Sequence, residues 1–255
     1  MSGKRFVILS GPSCVGKGPL VAALNRFHPD VKYAQIPVIK SRESRPQGPR
    51  PEEVAVWNNP DFFRTKEHIL QLGGNPQYLV GDCRGLPQAV DLQKVQESEA
   101  GLLFIEIYHT IGAKLVKSTF LTDVEIMTVF LSPIGRQEIE DLKSGGIDLQ
   151  QYLCQIMFHK QLDRARYQAK TVKSGLVKKA LSRDRDSFSE LASACKYSHV
   201  IVNHDGEGSL NWHRLPSGVF IAKPEGDAVR AVTALVHILG NSDTTHVENW
   251  NTLRF

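Results

Sequence analysis

An α/β fold with a mostly parallel central sheet is what this 255-residue chain predicts, and three stretches carry the prediction. Phe6, Val7, Ile8 and Leu9 form an unbroken apolar run, the pattern of a strand buried on both faces. A glycine-bearing loop follows, and Leu20, Val21, Ala23 and Leu24 then resume at helical spacing, so the chain opens as strand, loop, helix. Gly101 to Ile107 and Val124 to Leu131 repeat the buried-strand pattern, the second leading into a helix from Ser132-Pro133. With 41% hydrophobic and 23% charged residues, the chain can bury one substantial core and carry a small appended lobe.

The loop between the first strand and the first helix carries the most specific motif. Gly11, Gly16 and Lys17 stand as G-x-x-x-x-G-K, the phosphate loop. In it, successive backbone N–H groups and a helix start converge on phosphate oxygens while the lysine neutralises their charge. The fold class sharpens accordingly to a three-layer P-loop sandwich. Gly11, Pro12, Ser13, Cys14, Val15, Gly16, Lys17 and Gly18 become the candidate ATP-binding residues. Two departures stand out. The position after Lys17 ordinarily bears a Ser or Thr hydroxyl that ligates Mg²⁺, and here it is Gly18; Pro19, next in line, has no backbone N–H to offer a phosphate. The motif therefore points to nucleotide binding more directly than to efficient catalysis.

Composition excludes several classes. A formal charge of +4 suits an anionic small molecule and does not single out a nucleic acid. Cys14, Cys83, Cys154 and Cys195 are far apart with no C-x-x-C, so neither a zinc site nor a disulfide framework is indicated, and no metal-ligating residue is expected. The start MSGKRFVILS lacks a signal-peptide layout, and no apolar run approaches the roughly 20 residues that span a bilayer. A cytoplasmic protein without membrane contact is expected.

Along the chain, Val31 to Ile39 alternates apolar and polar residues and reads as a strand. A polar loop rich in arginine and proline follows, from Lys40 through Arg45 and Arg50. Beside a phosphate loop, such arginines suit a second phosphate. Here the chain resembles the guanylate kinase family, over roughly residues 4 to 205. Ser41, Ser44, Arg45, Pro49, Arg50 and Glu53 fall on the family's S-x-x-T-R-x-P-R-x-G-E when two residues are inserted between Arg45 and Pro49. The family's G-x-Y-Y-G is here Gly81, Asp82, Cys83, Arg84, Gly85, with Arg84 at the phosphate-contacting tyrosine position. The guanine-reading glutamate corresponds to about Asn75, whose amide offers a donor as well as an acceptor. Glu106 and Tyr108 stand where the family carries the two acids of L-D-I-D. On the residues alone, Glu106 is either a site carboxylate or one satisfied by a structural arginine.

The lid arginines of the family fall here near Asp141, Gly145 and Ile156, none of them cationic. The helical stretch from Asp148 offers replacements in Lys160, Arg164 and Arg166, or else a solvated charged face. Tyr197 to Asp205 reads as a strand ending in the family's V-I-V-N-x-D, so the resemblance places Asn203 near the donor adenine. Trp212 to Ala222 suggests a hairpin, and Asp227 to Leu239 an amphipathic helix with Val229, Val232, Leu235, Val236 and Leu239 on one face. The polar tail from 241 to 255 reads as an arm that docks on this chain or on a partner.

The resemblance implies one domain over 1–240, with an acceptor-binding lobe at about 36–100 and a helical lid at about 136–195. It implies ATP-dependent phosphoryl transfer, with Mg²⁺, to a nucleoside monophosphate of the GMP kind or a related phosphorylated acceptor. Lys17, Arg45, Glu106 and Arg164 would act in catalysis, and Ser41, Arg45, Arg50, Asn75, Arg84 and Glu106 in acceptor binding. The alternative is a nucleotide-binding module that keeps the fold with little transfer, used in regulation or protein contact. A nucleic-acid partner is not expected, and the oligomeric state is left open.

Overall fold

In the computed structural model, which describes residues 3–41, 64–167, 186–240, 242 and 246–255, two of the strands just inferred form as expected. β1 (Lys4–Ser10) and β6 (Leu102–Glu106) lie parallel, with Val7 opposite Phe104 and Leu9 opposite Glu106. The larger sheet has the strand order β2-β6-β1-β7-β8-β9, where β2 is Ala34–Gln35, β7 Val124–Ser132, β8 His199–Val202 and β9 Val247–Glu248. β2–β6 and β7–β8 are parallel and β8–β9 antiparallel. The sheet is thus mostly parallel, and its buried strands are the continuous apolar runs that such sheets require.

By internal contacts the chain divides into two compact units. The first holds residues 1–9 and 32–127. It contains a smaller antiparallel sheet, β3 (Val38–Lys40), β5 (Leu86–Asp91) and β4 (Tyr78–Cys83), in the order β3-β5-β4. Its main core gathers Phe6, Ile8, Leu103, Ile105, Ile111 and Leu115. The helices are α2 (Lys66–Leu72), α3 (Leu92–Glu97) and α4 (His109–Val116). α2 starts on Thr65, whose hydroxyl accepts from His68 N, and α3 on Asp91, whose carboxylate accepts from Gln93 N. The expected strand over Val31–Ile39 is broken: β2 and β3 belong to different sheets, parted at Ile36-Pro37, where proline has no N–H to continue a ladder.

The second unit holds residues 10–31 and 128–255. It contains α1 (Lys17–Phe27), α5 (Arg136–Ser144), α6 (Leu149–Tyr167), a helical stretch over 186–192 and α7 (Gly226–Gly240). α7 packs on α1 and β8 through Ala228, Ala231, Val232, Leu235, Ile238 and Leu239. Val229, expected on that face, is exposed. The hairpin expected over 212–222 is reduced to one bridge, Arg214 with Phe220, around a turn at Gly218. The tail docks on its own chain: β9 adds to β8, and Trp250 is fully buried with Phe130, Met157, Leu191 and Tyr197. No helix among the described residues is long and apolar enough to cross a membrane.

Candidate nucleotide site

The phosphate-loop geometry follows from its glycines. Gly11 (φ 146°), Cys14 (φ 68°) and Gly16 (φ 105°) all take positive φ, which bends the chain sharply between β1 and α1. Gly16 is the N-cap of α1, and no side chain caps the helix there. The first amides of α1 are therefore not consumed by a cap, and they lie at the positive end of the helix dipole. Pro19 occupies the first turn of α1 at no structural cost, since Leu20 N is the first to close an intrahelical bond, on Gly16 O at 3.0 Å. Lys17 Nζ donates to Gly11 O at 2.7 Å and Pro12 O at 2.8 Å, which keeps the ammonium over the loop and leaves its third proton available.

The segment after β8 braces this loop. Asn203 is fully buried, and its Nδ2 donates to Val15 O at 2.8 Å and to Asp205 O at 2.6 Å. Glu207 N donates to Cys14 O at 2.8 Å. Asp205 is a knot within the same segment: Oδ1 accepts from Ser209 Oγ and Asn211 Nδ2, and Oδ2 accepts from Ala228 N in the first turn of α7. His204 reaches both Asp227 and Glu138 through its two ring nitrogens. Burial alone lowers the pKa of this imidazole, but the hydrogen bonds and charges of Glu138 and Asp227 together outweigh burial, so it is raised above the ordinary histidine value.

The three cations suggested on α6 separate by environment. Arg164 lies on the loop, with Nη1 at 3.4 Å from Cys14 Sγ and Nε at 3.1 Å from Glu207. Lys160 is buried, donates to His204 O and packs on Gly206. Burial pulls its pKa down to about 8, against the carboxylates of Asp205, Asp163 and Asp227 and the thiol of Cys14. Arg166 is exposed and pairs with Asp163 at 3.5 Å. Sequence reasoning missed Glu207 and Glu138, whose partners lie far along the chain and leave no local pattern.

The remaining candidate residues belong to the first unit. Ser41 is buried and its hydroxyl donates to Pro87 O at 2.8 Å. Arg84 (φ 57°) and Gly85 (φ 80°) make the tight turn of the β4–β5 hairpin, closed by Gly85 N on Asp82 Oδ1 at 2.8 Å. The Arg84 guanidinium lies 5.4 Å over the Tyr108 ring. Asn75 is exposed in the turn after α2, where its Oδ1 accepts from Gln77 N at 3.0 Å. Glu106 is the last residue of β6 and half-buried. Arg45 and Arg50 lie outside the described residues.

No family model matches the chain. It is 34% identical over 141 residues to a guanylate kinase of Synechococcus sp., which covers 53% of this chain and 58% of that protein. It is 29% identical over 216 residues to a guanylate kinase of Nostoc sp., covering 82% of this chain and 87% of that protein. Over most of its length the chain is thus similar to guanylate kinases. A crystal structure of guanylate kinase from Anaplasma phagocytophilum aligns at a TM-score of 0.45 and 15% identity over 80% of this chain and 79% of that one.

Proposed function

We propose that the chain is an ATP-dependent nucleotide kinase that phosphorylates a nucleoside monophosphate of the GMP kind. The observation that carries this reading is the loop at 11–17, with an uncapped helix start and an ammonium held over it by Gly11 O and Pro12 O. A triphosphate laid on the loop would accept from its amides and the first amides of α1. Lys17 would exchange two carbonyl partners for phosphate oxygens. Because phosphoryl transfer needs little covalent chemistry from the protein, positioning and charge neutralisation are the work of these groups. Arg164, kept on the Cys14 side of the loop by Glu207, would supply the cation that the family's lid arginines supply. Asn203 supports the site through the loop carbonyl of Val15.

Mg²⁺ enters as part of the substrate MgATP, where it neutralises phosphate charge. Position 18 offers it no side-chain oxygen, so the loop residues do not fit direct ligation there. Ser41, Arg45, Arg50 and Arg84 are proposed for the acceptor phosphate. Asn75 and Glu106 are proposed for the acceptor itself, within a lobe at about 36–100 and the strand β6. Glu106 takes the place of a family acid, and the amide of Asn75, which keeps its Nδ2 and one Oδ1 lone pair, favours a base edge different from the one a carboxylate reads.

The test is ADP release measured across purine and pyrimidine monophosphates, in wild type and in Lys17→Ala. Acceptor-dependent turnover that Lys17→Ala abolishes is the expected result. Nucleotide binding without turnover on any acceptor replaces the kinase reading by the binding-module reading, for which Gly18 speaks. Nucleotide-dependent stabilisation that survives Lys17→Ala removes the site assignment altogether.

A further inference from the structure

The tip of the β4–β5 hairpin holds a residue that its turn does not ask for. Cys83 pairs with Leu86, so Arg84 and Gly85 alone make the turn, both at positive φ (57° and 80°). A two-residue turn of this kind favours Asn or Gly at its first position, and an arginine there carries the left-handed backbone at a cost. The tip is also pinned to α4. Thr110 Oγ1 donates to Asp82 O and Lys114 Nζ to Val80 O, each at 3.2 Å. Ile111 lies so close to Gly81 that a Cβ added there would come within 2.6 Å of its Cγ1. Tyr108 stands at the start of α4, packed against the main core of the first unit, and the Arg84 guanidinium lies 5.4 Å from the centre of its ring. A ring face attracts a guanidinium and orients it without neutralising it, as a carboxylate at 108 would.

We propose that Tyr108 is the positioning residue for Arg84: its ring holds the guanidinium in the orientation that grips the phosphate of the acceptor nucleotide. The inference rests on the acceptor reading above and deepens it, since it adds to that site a residue that acts only through another. A planar guanidinium held in place can meet two phosphate oxygens at once, a geometry that a loose side chain reaches only by giving up rotamer freedom. Tyr108 supplies that order through the face of its ring, and its hydroxyl is not needed for it. Loss of the ring therefore weakens acceptor binding only as long as Arg84 is present.

The experiment measures ADP release with GMP as acceptor at saturating ATP. It compares wild type, Arg84→Ala, the ring-less variants Tyr108→Leu and Tyr108→Met, the ring-keeping Tyr108→Phe, and Arg84→Ala combined with Tyr108→Leu; melting curves confirm that each is folded. Arg84→Ala is expected to raise the KM for GMP about tenfold or more, the scale of one hydrogen bond to a charged group. The ring-less variants are expected to raise it about threefold to tenfold, with kcat and the KM for ATP within about twofold of wild type. Tyr108→Phe is expected to bring the KM for GMP back to within about twofold of wild type. In the combined variant, loss of the ring should add nothing to loss of the guanidinium. An equal rise from Tyr108→Leu with and without Arg84 overturns the inference, as does a phenylalanine variant that behaves like leucine, or an unchanged KM in Arg84→Ala or in the ring-less variants. Wild type without GMP-dependent turnover overturns the acceptor reading, and this inference with it.

Discussion

Two glycines two residues apart should respond to alanine in opposite directions. At Gly16, φ is 105°, and the added Cβ would sit 2.7 Å from Asn203 Nδ2, 3.1 Å from Asp205 O and 3.2 Å from a Trp212 ring carbon. The left-handed backbone alone costs alanine about 1–2 kcal/mol. Relief of the contact means moving the Asn203 amide off Val15 O, and a buried group left without its partner costs a further 1–3 kcal/mol or so. Together these come to about 2–5 kcal/mol, a large share of the roughly 5–15 kcal/mol that holds a domain together. For a unit of this size each kcal/mol is about 2–4 °C in melting temperature, so Gly16→Ala should melt at least about 4 °C below wild type. Gly18→Ala meets no described atom within 4 Å and has an ordinary φ, so reduced freedom of the unfolded chain should raise the melting temperature by about 1–3 °C. Differential scanning fluorimetry of both variants, without nucleotide, makes the comparison. Equal melting of Gly16→Ala and wild type would refute the loop geometry on which the site rests.

Two further outcomes follow from the same unit. Lys160 has its folded pKa lowered to about 8, so between there and its unfolded value of 10.5 the unfolded chain holds a proton that the native one has released. Stability from this group therefore rises with pH across that window, by up to roughly 3 kcal/mol, and is least below it. Urea unfolding at pH 7.5 and pH 9.5 should show this rise in wild type and not in Lys160→Met; an identical pH response in both would contradict the buried ammonium. Trp250 is fully buried against Phe130, Met157 and Tyr197, so Trp250→Ala should lose about 3–5 kcal/mol in the same measurement. A loss under about 1 kcal/mol would mean that the tail does not dock as described.

The parts legible in the sequence are those fixed by neighbours in the chain. Phe6 to Leu9, the glycines at 11 and 16 and the resumed periodicity at Leu20 specify strand, turn and helix within about 20 residues. Val31 to Ile39 misled because alternation says that a stretch is extended and not which sheet receives it; Pro37 was the available sign of the break. Trp250 was unreadable for a related reason. Its stretch is polar, and only the pairing of β9 on β8 brings the ring into a core. The ties that shape the site are longer still: Asn203 to Val15 spans 188 residues and Arg164 to Cys14 spans 150.

That distance matters most for the cations. Formal charge treats Lys160, Arg164 and Arg166 as equals on one helix, and the sequence offered all three as replacements for the lid arginines. Burial and partners distinguish them. Arg166 is 73% exposed and screened by water beside Asp163, so its field contributes little to a phosphate elsewhere. Lys160 is fixed on a backbone carbonyl, and burial there disfavours its charged form. Arg164 alone has a guanidinium on the loop, and Glu207, which holds it, also donates its own backbone amide to Cys14 O of the same loop. One residue thus anchors both the loop and its cation. Charge carried in this way would stay oriented if a phosphate displaced the thiol contact, because the Nε–carboxylate pair is separate from the Nη1 that faces the loop.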